Sequence, residues 1–551
     1  MPYVIAVVMT VLAFMCLLLG FVATPFEILP RTPIDGVGLN PLLYDEGMRI
    51  HPPMLLAGLM SWTIPFAFAI AALVTGRLGN EWVALARRYA MVAWLILGLG
   101  NVLGAWWAYH VLGWGGYWGW DAVENVALLP WLVATAFLHS IMVEERRGML
   151  RVWNLGLAIA GFALAVFGTF VVRSGVLSSV HSFAQSPIGP HFLAFLGLTL
   201  VGSLGLLFYR LPRLSSAGQF DAVASREVSF VLNNLLLVGA AAATFWGTIF
   251  PLVSELTQGV KVSVGAPFFQ QVNGPLLLGL VVLMGVGPLL AWRRTSRASL
   301  WRNFRWPLVT AALVSVILLG AGMRNGLAVL AFSATAFTLG AISLEYWRGV
   351  RARRRSTGEA YPFALYFLVA RARRRYGGYV VHLGVVLVAL GAIGSSFYQI
   401  ERTATLAQGE SIQVGRYTFT HNGVSGRVEP GVQIVAADLG VTGDGARLES
   451  LSPERRIHRN WEQQPVTGVA YRTTAPWLDD VYVLLTGVDE AGRANFRIFV
   501  NPLVSLLWLG GLFFLAGTLI AGWPAVAVSA ARTIAALPRT QTVGELVASE
   551  T

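Results

Sequence analysis

The feature that most constrains this chain is an apolar run of near-membrane length that recurs about a dozen times. The runs fall at roughly 3–23, 54–75, 89–109, 126–143, 152–172, 191–209, 228–250, 274–292, 306–322, 326–347, 377–398 and 500–522. Runs of about 20 such residues are read as bilayer-spanning helices. Of the 551 residues 56% are hydrophobic and only 12% charged, which fits a polytopic membrane protein and excludes an ordinary soluble domain. The first run, Met1 to Val22, lacks a basic flank and a small-residue cleavage site, so it reads as a retained helix.

The formal net charge of +12 would suggest nucleic acid in a soluble protein. Here the arginines cluster in short loops between apolar runs. Arg77, Arg87 and Arg88, then Arg146, Arg147 and Arg151, then Arg210 and Arg213 fall on one side. Arg293 to Arg305, Arg348 to Arg355 and Arg371 to Arg375 join them. The opposite short loops hold isolated cations such as Arg49, Arg173, Lys261 and Arg324. By the positive-inside rule the arginine loops and both termini are cytoplasmic, and no nucleic-acid partner is implied.

Residues 399–499 are soluble in character and read as short alternating strands, at Gln413–Thr420, Val432–Leu439 and Asp480–Gly487. The expected fold is therefore all-α and polytopic, about 12 transmembrane helices, with one small external β-rich domain. Its divisions are a bundle at 1–398, the β-rich domain at 399–499, a last helix at 500–522 and a cytoplasmic tail at 523–551. The piece Tyr361–Ala370, too short to span, reads as an interfacial helix on the inner surface.

Between Trp106 and Trp120 lie five tryptophans and two tyrosines, followed by Asp121 and Glu124. The later aromatics alternate with glycines. Glycine lets backbone approach a flat object, and tryptophan offers a wide apolar face with one donor. This external loop reads either as an interfacial aromatic belt or as a platform for a planar apolar ligand. Its concentration in one loop, between two histidine-bearing segments, favours the platform.

Topology sorts the histidines by depth. His51, before Pro52 and Pro53 at the start of a helix, and His181, after helix 5, lie at the external interface. His139 and His382 each lie about five residues, or about 7 Å, inside the cytoplasmic boundary. Ionisable residues at such depth are functional candidates, the bland alternative being an interhelical hydrogen bond. Gly378 and Gly384 leave room beside His382. The lone cysteine, Cys16, rules out a cysteine metal site or thiol couple within the chain. A flat, apolar ligand gripped by two histidines is haem.

The run Trp114-Gly-Gly-Tyr-Trp-Gly-Trp-Asp-Ala-Val-Glu-Asn125 resembles the tryptophan-rich WWD signature of haem-handling proteins in cytochrome c maturation. Supporting stretches include His51-Pro-Pro, Gly104-Ala-Trp-Trp-Ala-Tyr, Leu138-His139-Ser, Val172-Arg-Ser-Gly-Val-Leu, Ser179-Val-His181-Ser-Phe-Ala and Gly285-Val-Gly-Pro-Leu-Leu. Together they are similar to the CcmF family, the haem lyase subunits of the bacterial multi-component system, from about residue 35 to about 522. Family members usually carry several more helices ahead of the segment that begins here, so Met1 is expected to be an internal start or that of a shortened member.

The resemblance implies that His51 and His181 hold a haem in transit as substrate, and that His139 and His382 bind the iron of a resident haem b. It implies location in the bacterial inner membrane. It also implies a haem chaperone of the CcmE type, apocytochrome c, a presenting partner of the CcmH or CcmI type, and membrane lipid, with quinol as an electron source. On this reading Trp106, Trp107, Trp114, Trp118 and Trp120 form the haem platform, and Arg173 pairs with a haem propionate or anchors its helix at the interface. Asp121 and Glu124 orient the loop, meet a chaperone, or simply cap a helix. Two thiols of the apocytochrome would add across the haem vinyl groups, the chain supplying position rather than a nucleophile. A haem exporter, or a quinol–haem oxidoreductase without ligation, stands as the alternative.

Overall fold

The structure, a computed structural model, describes the chain apart from residues 27, 29, 35, 37, 182–185, 215–217, 219, 444–445, 449, 463–464, 475–478 and 524–551. The tail expected at 523–551 lies outside the described residues except for Trp523. The helices are α1 (Pro2–Leu17), α2 (Gly47–Ser61), α3 (Thr63–Thr75), α4 (Asn80–Val111), α5 (Ala122–Arg147), α6 (Arg151–Ser174) and α7 (Gly189–Arg210). They continue with α8 (Arg226–Gln258), α9 (Ala266–Leu289), α10 (Arg297–Gly320), α11 (Gly326–Thr357), α12 (Tyr361–Arg371), α13 (Arg373–Tyr398) and α14 (Ser505–Gly522).

Among the described residues, twelve segments are long and apolar enough to cross a membrane, α2 and α3 forming one of them. The short helix expected after Tyr361 is α12. Most helices outrun their apolar stretch: α4, α8 and α11 each exceed 30 residues. Helical hydrogen bonds continue past the hydrocarbon because charged side chains at the ends still suit a helix in water. His139 lies eight residues before the end of α5 and His382 nine residues into α13, so each is about 12–14 Å from its helix end.

Two helix pairs approach backbone to backbone. On α2 and α4, a Cβ added at Gly58 or Gly100 would lie 2.5 Å or 2.7 Å from the Cα of Leu97 or Leu55. On α13 and α14, a Cβ at Gly384 would lie 2.6 Å from the Gly510 carbonyl, and one at Gly510 equally close to the Gly384 carbonyl. Small residues drive helix association where lipid offers no hydrophobic contrast. The space expected beside His382 at Gly384 is thus filled by α14, whereas Gly378 faces open space.

The β-rich region is inserted between α13 and α14. Its strands are β1 (Ile400–Leu406), β2 (Ser411–Val414), β3 (Tyr417–Glu429), β4 (Val432–Gly443), β5 (Ala446–Arg447), β6 (Glu454–His458), β7 (Val466–Gly468), β8 (Ala470–Thr473), β9 (Asp479–Val488) and β10 (Ala494–Pro502). They form two antiparallel sheets, ordered β1-β10-β9-β8 and β2-β3-β4-β6-β7, with β5 on β4. Tyr417, Phe419, Leu439, Val483, Phe496 and Ile498 share the core between them.

Two expectations are corrected here. The strand expected over Gln413–Thr420 is a hairpin, because Gly415 adopts φ +61° and turns the chain so that Val414 pairs with Tyr417. The last membrane helix begins at Ser505 rather than 500, because Val500 and Asn501 complete the β10 ladder against Val481 and Asp480.

A buried polar network fastens the β sheets to the bundle. The Tyr109 hydroxyl donates to Asp480 Oδ2 at 3.1 Å. Asn501 Nδ2 donates to the Tyr109 oxygen at 3.1 Å and to the Gly115 carbonyl at 3.0 Å. Gln399 Nε2 donates to the same carbonyl at 2.8 Å and to Asn501 Oδ1 at 2.6 Å. Burial pushes the Asp480 carboxyl above its usual range. Replacing Asn501 with Ala would remove three of these bonds and leave the Tyr109 oxygen without its donor, at a cost of about 1–3 kcal/mol. A lowered thermal midpoint and faster proteolysis within 113–120 are expected; an unchanged midpoint would show that the network is dispensable.

Candidate functional site

The tryptophan loop joins α4 to α5 and is held at both ends. At its start, Gly115 is gripped by Asn501 and Gln399, and Tyr117 bonds Ser395 at 3.1 Å. Burial raises the Tyr117 hydroxyl above its ordinary pKa. At its end, Glu124 Oε2 accepts from the Gly119 and Asp121 amides at 2.9 Å and 3.0 Å, and Asp121 Oδ2 accepts from the Val123 amide at 3.1 Å. The two carboxylates form a capping box at the start of α5. Trp120 adopts φ +56°, a conformation costly for a bulky side chain. Its carbonyl accepts from Asn125 at 3.1 Å, and its ring lies 5.2 Å from Phe269, nearly parallel at 5°.

Asp121 has a second task. Its Oδ2 also accepts from Ser179 Oγ and from His181 Nδ1, the latter at 2.9 Å. Burial alone would raise this carboxyl, but the bonds from His181 and Ser179 prevail and leave it below the usual carboxylate range. One carboxylate therefore caps α5 and aims the His181 ring. Across the site, His51 Nδ1 donates to the Gly100 carbonyl at 2.9 Å, and its ring packs where a Cβ at Gly104 would lie 2.6 Å away. His51 is in the second turn of α2, not the first as expected from the prolines: the helix begins at Gly47, and Pro52 and Pro53 lie inside it. The buried Trp107 separates the pair. Its centroid is 6.3 Å from His51, nearly parallel at 13°, and 5.4 Å from His181. Trp114 meets His181 edge-on at 6.2 Å.

At the opposite end of the bundle, the His139 and His382 rings lie 6.3 Å apart between centroids, with planes only 11° from parallel. His139 Nδ1 donates to the Thr135 carbonyl at 2.8 Å, whereas His382 Nδ1 is buried without a hydrogen-bond partner among the described residues. Two imidazoles sharing one metal ion would have centroids about 6 Å apart, from two metal–nitrogen bonds of about 2 Å and two ring radii. The pair fits that span. In His51, His139 and His181, the Nδ1 bond leaves the Nε2 lone pair free, the arrangement of metal-ligating histidines. Among the described residues no three metal-ligating side chains converge. The geometry therefore suits a ligand that brings its own equatorial donors, as haem does.

The other expected residues are placed as follows. Trp106 packs edge-on against His110 at 4.1 Å rather than between the outer histidines. Trp118 stands perpendicular to Trp120 at 6.1 Å. Arg173, in the last turn of α6, is exposed. His110 Nε2 is engaged by the Tyr471 hydroxyl at 2.6 Å, and His421 bonds the Leu406 carbonyl inside the β region. Sequence reasoning missed Ser179, Gly100 and the Thr135 carbonyl. Only the last had a readable signal, being four residues before His139 on the same helix.

Residues 2–177 match the cytochrome C assembly protein family, and residues 397–502 match the CcmF C-terminal beta-sandwich. The chain is 39% identical over 518 residues to a cytochrome c-type biogenesis protein CcmF of Pseudomonas aeruginosa, covering 92% of this chain and 76% of that protein. It is 36% identical over 511 residues to the protein of the same name from Escherichia coli, covering 91% and 75%. A solved structure described as "Cytochrome c Heme Lyase CcmF" superposes with a TM-score of 0.77 at 31% identity, over 95% of this chain and 78% of that one.

Because Asp121 both caps and clamps, its two roles separate by substitution. Asp121→Ala loses both, with about 1–2 kcal/mol from the cap alone. Asp121→Asn keeps a good cap and loses the charge-assisted bond to His181. The Ala variant is expected to melt clearly below the Asn variant; identical melting would show that the cap contributes nothing.

Proposed function

The chain belongs to the CcmF family of cytochrome c-type biogenesis proteins, and on that premise we propose that it is a haem lyase subunit that positions haem for thioether attachment to apocytochrome c. It is a multi-pass membrane protein. In the proposed orientation the arginine loops and termini are cytoplasmic, and the tryptophan loop and the β-rich domain, 399–499, face the periplasm.

The carrying observation is the outer clamp: His51 and His181 flank Trp107, each with Nδ1 tied to an oxygen and Nε2 left free. On this reading His51 and His181 hold the iron of substrate haem delivered by a chaperone of the CcmE type. Trp107, Trp114, Trp118 and Trp120 offer the apolar surface against which the macrocycle rests. Asp121 holds His181 in one tautomer and orientation. Glu124 fixes the backbone of Gly119 and Asp121, so the loop has little freedom to lose when haem arrives. The rigid platform would present the vinyl groups to the paired thiols brought by a partner of the CcmH or CcmI type, an effect of orientation. Arg173, exposed in the last turn of α6, suits pairing with a propionate.

His139 and His382 would hold a resident haem b, which when bound supplies one-electron chemistry for keeping substrate iron ferrous, with quinol as the proposed source. The residues fit such a group, because the ring spacing matches a shared iron and His139 has its Nδ1 tied to the Thr135 carbonyl.

Either His51→Ala or His181→Ala is expected to abolish c-type cytochrome formation in cells while leaving the protein inserted. Asp121→Asn should weaken haem binding at the outer pair by about 10–100-fold. Cytochrome c that still matures in the His51→Ala strain would refute the proposed outer site.

A further inference from the structure

We propose that Arg146, Arg226 and Arg375 form a cationic seat for the two carboxylates of the ligand held by His139 and His382, the propionates of haem. The proposal rests on the resident-haem reading above and assigns it side chains that no motif marks.

Spacing gives the first argument. Arg146 lies seven residues after His139 on α5, and Arg375 lies seven residues before His382 on α13. Seven residues are two helical turns, so each arginine shares a face with its histidine about 10 Å towards the arginine-loop end. Two helices running in opposite directions thus carry the same histidine–arginine pair at matching levels.

Contacts give the second. Phe230 lies 5.9 Å from His139 and 5.9 Å from Trp292. The Arg146 and Arg226 guanidinium carbons sit 4.9 Å and 5.7 Å from the Trp292 ring. A continuous aromatic wall therefore leads from the inner imidazole to two cations. Arg226 donates to the Pro288 and Leu290 carbonyls at 2.6 Å and 3.1 Å and interacts electrostatically with Arg146, Arg375, Glu345 and Tyr379. Arg375 pairs with Glu345 and bonds the Tyr379 hydroxyl at 3.1 Å. A cavity of about 350 Å³ opens between Arg375, Glu345 and the end of α9.

Charge gives the third. Glu345 is shared between Arg375 and Arg348, and Arg146 contacts an aromatic face but no carboxylate among the described residues. The cluster therefore keeps a net positive charge, which a haem dianion would offset. Charge-assisted bonds between arginine and carboxylate are the strong class of hydrogen bond.

The test uses purified full-length protein and reads haem per polypeptide and reduction midpoint by optical redox titration. Arg146→Ala and Arg375→Ala should each lower the midpoint, since removing a nearby cation disfavours the reduced iron, and should lower haem retention on detergent washing. Arg146→Lys should restore most of both. Arg226 also satisfies α9 carbonyls, so its variant is not used alone. Wild-type haem content and midpoint in both Ala variants would overturn the seat, including the case in which only co-purifying anionic lipid changes. A wild-type protein without His382-dependent haem would instead overturn the resident-haem reading itself.

Discussion

The close approach of backbones at α2–α4 and α13–α14 is the constraint on which both histidine sites depend. A helix in lipid cannot be pressed onto its neighbour by water, so contact relies on shape, and glycine gives the closest fit. Gly104 admits the second turn of α2 and Gly100 the third, which lets His51 reach a carbonyl of α4. Gly384 and Gly510 lock α13 to α14, and the inserted β sheets hang from that hairpin. The sheets in turn hold Gly115 through Asn501, so the tryptophan loop is braced from the lipid-buried pair upward.

From this scaffold comes a division of labour between the two ends of the bundle. The outer histidines belong to different elements, a helix and a loop, and are aimed by acceptors on two further ones. Such a site can receive and release a ligand without disturbing helix packing. The inner histidines are both helical, and one is tied to its own preceding turn. That arrangement suits a ligand that stays. The carboxylate of Asp121, shared among three donors, joins loop order to histidine orientation, so the end of the tryptophan loop and the His181 ring are set by one group.

Much of the fold was legible because a bilayer reduces the choices. Apolar length marked the twelve candidate spans found among the described residues. What failed was detail set by competition at ends. Helix ends overran because hydrophobicity marks the hydrocarbon, not the helix. Pro52 and Pro53 suggested a first turn, yet Gly47 to Ile50 were free to add one before them. Gly415 was read inside a strand because alternation on both sides continued across the turn. At the site, the common level of His139 and His382 was readable from pattern, whereas the Asp121–His181 contact spans 60 positions and had no local signature. The carboxylates were visible as caps because a capping box is local.

The most direct test of the account is electron paramagnetic resonance of the purified ferric protein, wild type against His382→Ala. Nearly parallel imidazoles on one iron should give a rhombic low-spin haem signal in the wild type. The substitution should remove that signal or convert it to high spin. A wild type without low-spin haem, or a low-spin signal untouched in His382→Ala, would contradict the claim that the inner pair was built for iron.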